Sequence, residues 1–404
     1  MKKKVQIGIV RESKIPVDWR VPLLPEQCVH LMKLYPHIQF IVQPSDTRCI
    51  PNSQYKKAGI PLQEDLSHCD ILMGIKEIAE HLLIPQKKYL FFTHTIKKQP
   101  QNKKLLQAIL EKKIEMIDYE CIKDPQGNRL IAFGHFAGIV GAYNSLLHYG
   151  RKYNLYQLKP AYKTSGYDEV KKELKKIQLP PVKIVTTGTG RVGKGIQELL
   201  DIAGIKKISP HDFLNTDYSY PVYTSLASSD YHVHKEGRAF STPHFHAYPQ
   251  EYKSVFFPYA TKADILIAGA FWHPLAPKLF THQDMNHDEF KIKFVGDVTC
   301  DFNGSIPCTI KPTTIYDPIY DYNPKSHEVE PPFSDPRNIT VMAIENLPGE
   351  LPVDASEAFG QMLIDNVFPE LFGKECSECI YNATIAKDGQ LMPAYKYLED
   401  YVSN

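Results

Sequence analysis

The sequence predicts an α/β protein built on two doubly wound parallel sheets, and three observations carry that reading. Short apolar runs rich in β-branched and aromatic residues recur along the chain, helical patterns alternate with them, and the series restarts after a polar, Lys- and Tyr-rich stretch. At about 150 residues per domain, 404 residues leave room for two or three domains.

In the first series, Val5–Val10, Phe40–Gln43, Asp70–Ile75, Tyr89–Thr93 and Ile114–Tyr119 read as buried strands. Pro25–Tyr35 and Asn102–Lys113 carry helical patterns between them, as βαβ units require. A longer helical stretch, Gly138–Tyr153, leads into the polar segment that ends at Leu179-Pro-Pro-Val182. The second series starts with Val182–Thr187, passes Ile208 and resumes at Ala263–Ala270 and Phe290–Val298. Residues 213–260 interrupt it with a Tyr-, His- and Ser-rich stretch without clear periodicity, read as a long insert. Asp354-Ala-Ser-Glu357 resembles a capping box, so a helix is expected to start there. The expected divisions are residues 1–145, 146–318 and 319–404.

Composition excludes several classes. Forty-seven Lys and Arg against 46 Asp and Glu leave no surplus charge for a phosphate backbone or an anionic bilayer, so neither nucleic acid nor membrane is expected as partner. No apolar run reaches the roughly 18 residues of a membrane span, and Gly8 interrupts the only candidate for an export signal. Eight irregularly spaced cysteines read as reduced thiols of a cytoplasmic protein, and the single CxxC, Cys376–Cys379, reads as structural.

Gly188-Thr189-Gly190-Arg191-Val192-Gly193 follows a predicted strand and opens a predicted helix, the context a dinucleotide fingerprint needs. Glycines permit the tight turn and let pyrophosphate approach the helix N-terminus. Asp212 lies 24 positions after Gly188, near where a carboxylate meets the adenosine ribose. Lys76 and His94 each follow a predicted parallel strand, where open α/β sheets form their ligand crevice. Arg20, Lys97, Glu120 and Arg129 are further polar residues near strand ends or loops. His232, His234, His244 and His246 form two HxH pairs, but no Cys or carboxylate pattern beside them completes a metal-site spacing, so no metal is expected.

Several of these segments carry a family resemblance. Gly8–Glu12 with Arg20–Pro25, Gly74–Glu77, Phe92–His94 and the glycine loop resemble the alanine dehydrogenase, transhydrogenase and saccharopine dehydrogenase superfamily. Asp118–Glu120, Ala132–Gly141, Thr187–Gly195, His246–Tyr252, Ala268–Trp272, Gly296–Ile306, Glu345–Gly360 and Pro393–Leu398 resemble the lysine-ketoglutarate reductase half of bifunctional aminoadipic semialdehyde synthase. They are more distantly similar to the fungal lysine-forming saccharopine dehydrogenase.

The resemblance implies a discontinuous substrate domain from both chain ends, a central Rossmann-like dinucleotide domain and a cleft between them. It implies an enzyme that condenses L-lysine with 2-oxoglutarate and reduces the imine to saccharopine, or the reverse. Lys76 and His94 would be the acid/base pair, Arg20 and Arg129 would bind substrate carboxylates, and Lys97 and Glu120 would support them. Glu77 agrees with the fungal pattern, whereas the animal domain is basic there. Oxidation of saccharopine to the semialdehyde is expected of another protein. Asp212 favours NAD(H); Lys206 and Lys207 could receive a 2'-phosphate, and the animal domain uses NADPH, so the balance falls only slightly to NAD(H) over NADP(H). Another amino-acid dehydrogenase of the alanine type and a non-catalytic nucleotide-binding module are the alternatives, with a homo-oligomer left open.

Overall fold

The computed structural model describes residues 4–373 and 378–403. The chain divides into two compact units, Met1–Phe133 with Pro352–Asn404, and Gly134–Leu351. Cys376 lies outside the described residues; the seven described cysteines are free thiols.

The first unit holds β1 (Val5–Ile9), β2 (Ile38–Val42), β3 (Ile71–Met73), β4 (Lys88–Phe91) and β5 (Glu115–Asp118), with helices α1 (Pro25–Leu34) and α2 (Lys103–Glu111) among the connections. The strands run parallel in the order β5-β4-β3-β1-β2, and a C-terminal hairpin, Thr384–Lys387 with Gln390–Leu391, adds antiparallel to β5. Both faces are covered: along β4, Tyr89 and Phe91 enter one core and Leu90 the other, which is why the strands read as continuous apolar runs. Gly8 leaves room for the Leu72 side chain of the neighbouring β3, since a Cβ there would stand 2.6 Å from Leu72 Cδ2. Helix Pro352–Asn366 returns to this sheet: Ser356 Oγ accepts the Val21 N–H at 2.9 Å, and Phe359 stacks on Phe133 with ring centroids 4.5 Å apart. That helix starts at Pro352, two residues before the expected cap, because proline is preorganised for a first helical position; Asp354 lies in its first turn.

The second unit holds β6 (Lys183–Thr187), β7 (Lys206–Lys207), β8 (Val222–Leu226), β9 (His232–His234), β10 (Tyr252–Ser254), β11 (Ile265–Ala268), β12 (Phe294–Asp297), β13 (Tyr320–Tyr322), β14 (Val329–Glu330) and β15 (Ile339–Met342). Its main sheet has the order β14-β13-β15-β12-β11-β6-β8-β7, parallel from β15 to β7; β9 and β10 form a separate hairpin. Helix α3 (Gly134–Lys152) packs on α4 (Arg191–Ile202) at glycines: a Cβ on Gly138 would stand 2.1 Å from Val192 O, and one on Gly195 2.1 Å from His135 O. This backbone-to-backbone seam draws α3 into the second unit from its first residue, so the first division falls after residue 133 rather than 145. The second falls after 351 rather than 318, because β13, β14 and β15 continue the second sheet.

The stretch 213–260 is more regular than its sequence suggests. It supplies β8, the direct neighbour of β6, as well as the β9–β10 hairpin and helix α6 (Thr242–Ala247), which follows the short α5 (Pro210–Asn215). β8 escapes a hydropathy reading because it buries hydroxyls: Tyr223 OH donates to Asp201 Oδ1 at 2.6 Å and Thr224 Oγ1 to Ile208 O at 3.1 Å.

Candidate functional site

In both units the strand order reverses beside the first strand, between β1 and β3 in one sheet and between β6 and β11 in the other. The carboxyl ends of strands at such a reversal form the ligand crevice of an open α/β sheet.

In the first unit that crevice is filled with charged side chains. Glu12, after β1, accepts the Ile75 N–H at 2.6 Å and the Lys76 N–H at 2.9 Å, fixing the turn that carries Lys76 beyond β3. Burial pushes the Glu12 carboxyl up to about 7. Burial, and then the positive charge of Arg20, bring the half-buried Lys76 ammonium down to about 8. Arg20 is 2% exposed: its Nε donates to Asp18 Oδ1 at 2.9 Å and its guanidinium lies 4.0 Å over the Phe133 ring. Despite burial, Arg20 holds Asp18 down at about 2. Its planar fork is thus directed at Asp18, where the expectation was an open substrate carboxylate.

His94 follows β4 in a left-handed conformation, φ 52°, which is uncommon for a non-glycine residue. Its Nδ1 lies 2.6 Å from Glu77 Oε1, and Lys14 donates to Glu77 Oε2 at 2.9 Å. Against the opposing effect of burial, these bonds draw Glu77 down to about 2. An ionised carboxylate only accepts, so His94 Nδ1 carries its proton and Nε2 is left to exchange one. Glu120 Oε1 receives Lys97 Nζ at 3.0 Å and Arg129 Nη1 at 3.2 Å, while its buried Oε2 has no hydrogen-bond partner. Despite burial, Arg129 and Lys97 hold the Glu120 carboxyl below the usual range. The structure therefore links Glu77 to His94, Glu120 to Lys97 and Arg129, and Asp18 to Arg20. Sequence reasoning missed Glu12 and Asp18; the short Gly8–Glu12 segment, which ends a strand in an acid, was the available signal.

In the second unit the reversal is lined by backbone. Gly188 has φ 97°, and a Cβ on it would stand 2.9 Å from Ala270 N. A Cβ on Gly193 would stand 1.9 Å from Gly188 O, whereas one on Gly190, the N-cap of α4, would meet nothing within 4 Å. Thr189 lies between these glycines, and Arg191 and Val192 begin α4, whose first-turn N–H groups have no intrahelical acceptor. A closed turn under an open helix N-terminus fits a pyrophosphate group.

Asp212 is placed differently from the expected ribose contact. It sits in the first turn of α5, where its N–H donates to Ser209 Oγ at 3.0 Å and its Oδ2 accepts from Ser209 Oγ at 2.8 Å. Helix α5 follows β7, the outermost strand, whereas β8 lies beside β6 and its Leu226 carbonyl accepts the Gly188 N–H at 3.0 Å. Beyond β8, Ser228 and the buried His232 line a narrow crevice with Thr187 and Ala270. Burial drives His232 down to about 4, keeping the imidazole neutral. Asp297, at the end of β12, is also buried; it accepts from Thr299 Oγ1 and Thr309 Oγ1, both at 2.7 Å.

The HxH pairs do not act as pairs. His234 and His244 converge on Glu251, all within a ligand span of 4.8 Å, so the carboxylate absent from the sequence pattern is supplied from the turn just before β10. The Glu236 N–H donates to His234 Nδ1 at 3.1 Å, which leaves the ring proton on Nε2, 3.2 Å from Glu251 Oε2. A metal-bound imidazole donates from its second nitrogen, so this bond pattern describes a clamp across the hairpin rather than a prepared metal ligand.

Comparison with known proteins agrees with this architecture. The family "Alanine dehydrogenase/PNT, N-terminal domain" matches residues 8–140. The mitochondrial alpha-aminoadipic semialdehyde synthase of Rattus norvegicus is 30% identical over 98% of this chain and 48% of its own length. The NAD(+), L-lysine-forming saccharopine dehydrogenase of Schizosaccharomyces pombe is 25% identical over 89% of this chain and 91% of its own length. Among solved structures, an L-alanine dehydrogenase superposes with TM-score 0.66 at 15% identity, covering 98% of this chain and all of that one. A transhydrogenase from Sinorhizobium meliloti superposes with TM-score 0.60 at 13% identity, covering 96% of this chain and 99% of that one. The chain spans about half the length of the semialdehyde synthases it matches. Among the described residues no helix is long and apolar enough to cross a membrane. The chain is therefore a homologue of alpha-aminoadipic semialdehyde synthase and saccharopine dehydrogenase, with the two-sheet fold of alanine dehydrogenase.

Proposed function

We propose that this chain is a nicotinamide-dependent oxidoreductase of the C–N bond, joining the ε-amine of L-lysine to the keto carbon of 2-oxoglutarate and reducing the imine to saccharopine, or running in reverse. The observation that carries this reading is the first-unit crevice, which holds a lysine lowered to about 8 and a histidine with one nitrogen committed to Glu77. Imine formation needs that pairing of groups. An amine with an ordinary value near 10.4 is mostly protonated at neutral pH, so attack requires a nearby proton acceptor. Lys76 in its neutral form accepts that proton. His94 then delivers a proton from Nε2 to the carbinolamine hydroxyl, which leaves as water and yields the imine.

The bound dinucleotide supplies the hydride that reduces the imine. Gly188, Gly190 and Gly193, with the first turn of α4, would hold its pyrophosphate. NAD(H) is the cofactor this reading favours: the residues lining the crevice beyond β8 include no lysine or arginine, and His232 there is neutral. Lys207, a candidate phosphate partner, instead donates to Gln197 Oε1 at 2.6 Å. Lys97 and Arg129 are the half-exposed cations that suit substrate carboxylates, with Glu120 setting their positions. Arg20, buried against Asp18, acts through its field on Lys76.

The test is oxidation of NADH by purified protein, followed by the loss of nicotinamide absorbance. The reading requires oxidation that depends on both lysine and 2-oxoglutarate. Reduction of NAD by alanine, with silence in the lysine assay, would replace the substrate.

A further inference from the structure

Helix α3 carries Asn144, His148 and Arg151 on one stripe, at positions i, i+4 and i+7, and a cavity of about 230 Å³ lies along it within the second unit. At 1.5 Å per residue the stripe is about 10 Å long. The two ends of the cavity differ in charge. At one end Asn144 Nδ2 donates to Glu350 Oε1 at 2.6 Å, with both side chains about 3% exposed. At the other, Arg151 is exposed and makes no ion pair among the described residues. Leu147, between these positions on α3, and Ile315 add apolar lining.

The size of the cavity marks it as more than a packing gap: the space exceeds what one or two waters occupy at about 30 Å³ each.

We propose that this cavity is a second small-molecule site, one that takes an amino acid of the lysine type, with a carboxylate and an ammonium at opposite ends of a straight alkyl chain. The carboxylate meets Arg151, the methylenes lie along Leu147, and the ammonium reaches the Glu350 carboxylate. Burial, opposed by the bonds from Asn144 and the Tyr162 N–H, lifts the free Glu350 carboxyl to about 7, so an ammonium placed beside it ionises it. None of these residues takes part in the reaction proposed above, so the site stands or falls independently of that reading.

Calorimetric titration of the full chain with 6-aminohexanoate, hexanoate and hexylamine tests it. Saturable binding of 6-aminohexanoate is expected, with each single-ended analogue at least tenfold weaker. Arg151→Leu, at the surface, and Glu350→Gln, checked for an unchanged melting curve, should each weaken binding at least tenfold. Absence of saturable binding to the wild-type chain would overturn the proposal. So would affinity unchanged in Arg151→Leu, which keeps the test valid even if Glu350→Gln does not fold.

Discussion

The two sheets place their candidate sites at the same topological point and furnish them in opposite ways. Between β1 and β3, Glu12, Asp18, Arg20, Lys76, Glu77 and His94 crowd the strand ends, and most are tied to a neighbour by a hydrogen bond or ion pair. Between β6 and β11 the same position is given over to Gly188, Gly190 and Gly193, whose value is the side chain they lack. The first crevice is suited to moving protons, the second to holding a phosphate against a helix end. Damage to the first should therefore cost turnover and spare dinucleotide binding, and damage to the second should do the reverse.

The largest separation is expected from Lys76→Met and His94→Gln. Each removes a group proposed above to act as general acid or base, and should lower turnover by roughly 10²-fold or more. ADP-ribose affinity, read by calorimetry, should not change. On the other side of the comparison, Gly138→Val forces a side chain into the α3–α4 seam, where 2.1 Å is available, and should cost about 3 kcal/mol of stability in denaturant titration. Glu77→Gln weakens the bond that orients His94. A hydrogen bond to a charged group is worth about 1.5–3 kcal/mol, so a fall of roughly tenfold or more in kcat is expected with little change in melting temperature. Gly190→Ala is the subtlest: with no atom within 4 Å of the new methyl, stability should stay within about 0.5 kcal/mol, while ADP-ribose affinity falls. A Gly190→Ala chain that binds normally would break the comparison on the second-unit side.

What the sequence made legible followed the same division. Strands buried on both faces, such as Tyr89–Phe91, announce themselves by apolar runs, and a glycine fingerprint between strand and helix is a local pattern. Lys76 and His94 were identifiable because each lies just beyond the carboxyl end of such a strand. The pairing of Glu12 with the Lys76 turn, 64 residues away, and of Glu77 with His94 depends on sheet order, which no local pattern encodes. β8 was missed because its buried positions include hydroxyl side chains satisfied by Asp201 and Ile208. Asp212 was chosen by its distance of 24 positions from Gly188, and that count does not register that α5 follows the outermost strand. Glu251 likewise joins His234 and His244 only once β9 and β10 pair.

The central claim is that Lys76, lowered by burial and by Arg20, is the proton acceptor in imine formation. The direct test is the pH dependence of kcat/KM for lysine in saccharopine formation. A lysine lowered from 10.5 to about 8 is neutral above that value, so the rate should climb through about pH 8. Arg20→Met removes a repelling charge and should move that limb to higher pH, and Lys76→Met should abolish it along with most of the activity. A limb near pH 8 that persists at full height in Lys76→Met would contradict the account.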